Sequence, residues 1–161
     1  RINLFIMFTQ GQREELAITG LYATPVSKTI TFVGGTPNAI GDFDGTGDPF
    51  TIFEVEGTVA MKVLAVCSTA LEGASATISV GTALTPAGLI ASTTATNLIA
   101  NEIWHDATPD ASIELTSVLT EKIVSQDVIG SIATANITAG VVTFYCYWRP
   151  LTDGASVTAA A

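Results

Sequence analysis

Positive charge is scarce in this chain: six Lys and Arg stand against 15 Asp and Glu, a net charge of -9. The cations are scattered, and such a balance repels a phosphate backbone, so nucleic acid is not an expected partner. Charge of either sign is low at 13% of residues, about half the usual share, while 48% are hydrophobic. A surface this poorly charged is expected to be covered by other subunits, including copies of the same chain. Long apolar runs are missing too. No stretch reaches the ~20 residues of a membrane helix, and no membrane is expected as a partner. The opening "RINLFIMF" starts as a signal sequence would, but it is too short, and "TQGQREEL" follows where a small-residue cleavage site belongs. It reads as an arm or strand that docks on a neighbour through Ile2, Leu4, Phe5, Ile6 and Phe8. Arg1 and Met7 both remain open as the true start.

Cysteine is nearly absent. Cys67 and Cys146 each sit inside an apolar run, with no Cys-x-x-Cys pair. Buried free thiols are expected, with a bridge as the lesser alternative, and structural zinc is excluded on this cysteine count. Helix signals are also few. "TNLIANEIWHDA" supports one helical turn around Ile99 to Trp104, while β-branched residues and glycines dominate elsewhere.

What is present is alternation. "KTITFVG" sets Ile30 and Phe32 against Thr29, Thr31 and Val33, and "FTIFEVEG" sets Phe50 and Ile52 against Thr51 and Phe53. "TVAMKVLAVC" and "GVVTFYCYWRP" are the longest apolar runs and read as central strands around Val59–Cys67 and Val141–Trp148. "GASATISVGT" reads as the antiparallel partner of the strand before it, and "GLIAST", "SIELTSV", "EKIVSQ" and "VIGSIAT" as shorter strands. Eight or more short strands punctuated by Gly, Pro and Asn predict an all-β fold, an antiparallel β-sandwich or jelly roll with little helix. The 161 residues suit one core. The expected division is an N-terminal arm and first strand region at 1–27, a sandwich domain at 28–152 and a flexible tail at 153–161.

The most chemically suggestive stretch is "GDFDGTGDPF". Asp42, Asp44 and Asp48 beside glycines match the opening of a calcium loop, but Gly45 comes early and Phe53 stands where the distal Glu belongs. A turn is expected, with Ca²⁺ as the weaker alternative and no other metal or cofactor. His105, the single histidine, lies in "NEIWHDATPD", where Asp106 and Asp110 around Pro109 fit a turn and His105 a polar loop position. No nucleophile elbow accompanies it, and Glu54, Glu56, Glu102 and Glu114 are numerous enough for chance pairs, so no catalytic residues are expected. "GGTPNAIG" lacks the Lys and following helix of a phosphate loop. Trp104, Trp148, Tyr145 and Tyr147 suit a core or subunit contact better than a sugar-stacking platform.

The phrases "TITFVGGTPNAIGDFDGTGDPFTIFEVEG", "ATNLIANEIWHDATPDASIE" and "VVTFYCYWRPLT" together resemble small structural proteins encoded among the virion genes of tailed bacteriophages. The likeness spans roughly residues 28 to 152 and carries no catalytic motif. It implies a non-enzymatic virion component, a decoration or cement protein of the head. Its partners would be itself, as a homotrimer, and the major capsid protein. It would be made in the host cytoplasm and end on the outer capsid surface. A tail or neck component, or a secreted carbohydrate-binding or adhesive β-module, shares the composition.

Overall fold

The computed structural model of the chain describes residues 25–161, so the arm residues Ile2, Leu4, Phe5, Ile6 and Phe8 lie outside the described residues. Eleven strands are described: β1 (Val26–Thr31), β2 (Phe50–Glu56), β3 (Val59–Glu72), β4 (Thr77–Thr82), β5 (Thr85–Thr94), β6 (Glu102–Trp104), β7 (Asp110–Ala111), β8 (Lys122–Val124), β9 (Val128–Ala133), β10 (Ala139–Pro150) and β11 (Ser156–Ala159). They form two antiparallel sheets, β1-β10-β3-β6-β7 with β8 also on β3, and β11-β2-β9-β4-β5. The fold is an all-β sandwich.

The two long apolar runs pair with each other: β10 lies along β3 from Ala139↔Glu72 to Pro150↔Val59. On β10 the alternation is strict, with Val142, Phe144 and Cys146 fully buried and Thr143, Tyr145 and Tyr147 half-buried on the other face. Ile30 and Phe32 turn inward as their alternation with threonine predicts. Facing them from the second sheet are Ile52, Phe53, Ile78, Val80, Ile90 and Val128, all within one continuous core. Cys67 and Cys146 belong to it as free thiols. Their cross-strand partners, Val142 and Val63, place them four positions apart along the ladder, about 13 Å, too far for a disulfide. Burial pushes the Cys146 thiol up to about 12.

Four sequence expectations are corrected. β4 does not pair with β3; it lies between β9 and β5 in the other sheet. Both edges of β3 are occupied, by β10 on one side and by β6 and β8 end to end on the other, and a turn at Gly73–Ala76 carries the chain across. Phe53 does not share a face with Thr51, because a β-bulge between them turns both Ile52 and Phe53 inward. "SIELTSV" is not a strand: it holds a 3₁₀ turn at Thr116–Val118, with Ile113 and Leu115 exposed. The helical turn falls earlier than Ile99, at Ala95–Asn97, and Glu102–Trp104 is extended.

The tail, expected to be flexible, forms β11 as an edge strand on β2 and buries Val157 and Ala160. Lys28 of β1 closes that edge by donating to the carbonyls of Ala160 at 2.6 Å and Ala161 at 3.0 Å, tying the two sheets together.

Candidate functional site

The aspartate-rich stretch is a folded turn ribbon. From Val33 to Asp48 the amide of every third residue bonds the carbonyl three positions back: Thr36 to Val33, Ala39 to Thr36, Asp42 to Ala39, Gly45 to Asp42 and Asp48 to Gly45. Glycine or asparagine falls at the third position of most of these turns, and Asn38 and Gly41 have φ of 62° and 112°. The carboxylates serve this backbone. Asp42 Oδ2 accepts the Asn38 amide at 2.7 Å, Asp48 Oδ1 accepts the Ile132 amide of β9 at 2.7 Å, and Asp44 is exposed. Asp42, Asp44 and Asp48 are therefore not gathered into a common set of ligands.

Burial raises the Asp48 pKa, and the bond from the Ile132 amide opposes that rise. A carboxyl whose folded pKa is raised favours its protonated form in the native state, so this contribution to stability is lost as pH rises through that pKa. Asp48→Asn keeps an acceptor for Ile132 without a charge, and is expected to leave neutral-pH stability unchanged or slightly higher. Asp48→Ala leaves the amide unpaired and is expected to cost about 1–3 kcal/mol. Urea denaturation of the two variants checks this ordering.

A second cluster was not legible as a group in the sequence. β6 leaves the middle of β3, with Trp104 opposite Ala65, and β7 returns beside it with Asp110 opposite Ile103. The connecting turn is capped by Asp106, whose Oδ1 accepts the Thr108 amide at 2.7 Å, as the sequence predicts. The hairpin brings His105 and Asp110 together from its two arms, and the following segment adds Glu114. His105 Nε2 lies 3.2 Å from Asp110 Oδ2 and 3.5 Å from Glu114 Oε2, and the imidazole is 9% exposed. His105 thus lies in the β6–β7 loop, as its neighbours suggest, and there forms the centre of a three-residue cluster.

The Leu115 amide donates to Glu114 Oε1, and this bond, followed by Asp110 and His105, holds the Glu114 carboxyl below its usual range against a smaller desolvation effect. The three side chains line a cleft of about 390 Å³ together with Asp106, Thr108 and Leu89. One imidazole and two carboxylates can hold a cation or accept a proton. Lys122, also on the cleft wall, is engaged elsewhere, donating to the carbonyls of Gly88 at 2.6 Å and Leu89 at 3.2 Å.

Beside this cleft runs an apolar ridge. Leu84 and Ile123 line an adjoining depression and are 81% and 73% exposed, and Ile113, Leu115 and Val118 project from the segment that follows β7. Trp104, by contrast, is fully buried and cannot form a stacking platform. Comparison with protein-family models, with curated proteins and with solved structures found no match to this chain.

Proposed function

We propose that the protein is a non-enzymatic structural subunit of a phage virion, a head decoration or cement protein that binds the outer capsid lattice. The observation that carries this reading is the apolar ridge of Leu84 and Ile123, together with Ile113, Leu115 and Val118 exposed on the segment after β7, on a chain low in charge. Internal partners already occupy Lys28, Lys122 and Arg149, the last paired with Glu121 at 3.0 Å, which leaves few cations for an ionic contact, and the ridge supplies the docking energy in this reading. The resemblance of residues 28 to 152 to tailed-phage structural proteins supplies the choice of partner: the major capsid protein and further copies of this chain, as a trimer. A lattice repeats the contact, so a modest interface per copy suffices.

Replacing Ile123 and Leu84 together by Asp is expected to weaken attachment to shells lacking the protein by at least about tenfold, since burying each side chain is worth roughly 1.5–3 kcal/mol. The melting temperature is expected to stay unchanged. Co-sedimentation at low and high salt measures both the loss and the weak salt dependence that an apolar interface requires. Undiminished attachment of the double variant would refute the ridge as the docking face.

A further inference from the structure

The cluster of His105, Asp110 and Glu114 meets the geometric and chemical requirements of a metal centre. A cation of the zinc class bound by nitrogen and oxygen at 2.0–2.2 Å in a tetrahedral shell keeps adjacent ligand atoms about 3.4 Å apart. The separations of 3.2 Å and 3.5 Å from His105 Nε2 to the two carboxylate oxygens bracket that edge, and all three ligand atoms lie within 4.8 Å of one another.

An independent observation comes from the imidazole. His105 Nε2 is shielded from solvent and makes no aligned hydrogen bond, despite the carboxylate oxygens around it. A buried polar atom that lacks a hydrogen bond is costly, and here two carboxylate oxygens stand at 3.2 Å and 3.5 Å without supplying one. This arrangement suits a lone pair that shares a central cation with those oxygens.

We propose that His105 Nε2, Asp110 Oδ2 and Glu114 Oε2 bind one divalent transition-metal cation of the zinc class, with the fourth position open to the cleft. Two carboxylates balance the charge of the ion, and the imidazole selects zinc-like ions over calcium or magnesium, which favour all-oxygen shells. The cysteine-based exclusion of zinc does not bear on this site, which contains no thiol. Bound there, the ion would join the β6–β7 hairpin to the segment carrying Ile113 and Leu115. The site stands on its own geometry, and the structural reading of the protein neither requires it nor falls with it.

The test uses the full chain stripped with EDTA and titrated with zinc chloride against a chromophoric chelator. One equivalent is expected to bind with a dissociation constant in the micromolar range or tighter. His105→Gln and Glu114→Gln are each expected to weaken binding by at least about 100-fold. Asp106→Asn, on the same cleft wall, and Asp44→Asn, in the turn ribbon, are expected to bind as wild type. Absence of binding at 100 micromolar zinc overturns the proposal, and so does binding that both ligand variants retain. Should His105→Gln fail to fold by circular dichroism, Glu114→Gln alone decides, because its side chain lies nearer the surface. Displacement of zinc by an equal concentration of calcium chloride overturns the assignment of metal class.

Discussion

Trp104→Ala is expected to remove about 3–5 kcal/mol of folding stability, the largest loss from any single core truncation here. Trp104 is the largest fully buried side chain, and its ring meets Phe144 of β10 edge-on at 6.4 Å. That contact joins the short β6 to the central β3–β10 pair, so the cavity would open where neighbouring strands are least able to close it. The indole N–H is buried without a hydrogen-bond partner. Trp104→Phe therefore loses ring volume but no hydrogen bond, and is expected to cost only roughly 1–2 kcal/mol. Equilibrium urea unfolding of both variants checks the pair; equal losses would mean that the indole N–H is paired after all.

Gly41→Ala is expected to cost about 2–5 kcal/mol, an effect of backbone rather than of core volume. Gly41 has φ of 112°, and a Cβ there would lie 2.3 Å from the Ile137 carbonyl oxygen and 2.8 Å from the Gly34 nitrogen. The crowding is structural: the Ile137 amide bonds the Gly41 carbonyl at 2.8 Å, and the Gly34 amide bonds the Ile137 carbonyl at 2.9 Å. Asn136 completes the clasp, donating to the Gly34 carbonyl at 2.6 Å and accepting the Phe43 amide at 3.1 Å. No side chain can enter without parting the ribbon from the β9–β10 connection. Gly35, six residues earlier, has nothing within 4 Å of a Cβ, and Gly35→Ala is expected to change stability by less than about 0.5 kcal/mol. Thermal denaturation of the two variants separates a local packing requirement from a general loss of glycine.

The fold was legible where one face of a strand is buried and the other is not. Ile30, Phe32, Val142, Phe144 and Cys146 could be placed because period-two alternation is a local property of the chain. Phe53 could not, because a bulge breaks the period by one residue without changing the composition. The partner of β4 was equally hidden: "LEGA" signals a turn, but only the occupancy of both edges of β3 sends the chain to the other sheet. The tail is hidden for a similar reason: Ser, Thr and Ala suggest looseness, while the pairing of β11 with β2 and the bonds from Lys28 to Ala160 and Ala161 depend on partners distant in sequence.

The candidate sites divide the same way. Glycines and aspartates between residues 33 and 48 announced turns, and their spacing of three is visible in "GGTPNAIGDFDGTG" once the turns are known to follow one another. His105, Asp110 and Glu114 share no helical or strand period. Only the pairing of β6 with β7 brings the first two together, and Glu114 joins from a segment that alternation had marked as a strand. The sequence signal that could have found them is a histidine and an aspartate flanking a Pro-containing turn between two short extended segments.

The central claim, a structural subunit on the outside of a phage head, is tested most directly by locating this chain in a reconstruction of purified virions. The reading proposed here predicts density for the sandwich on the outer capsid lattice, clustered around threefold positions, with the Leu84–Ile123 ridge against the shell. A ring of copies at the portal or tail would contradict the head assignment, and absence of the protein from purified particles would contradict the structural role itself.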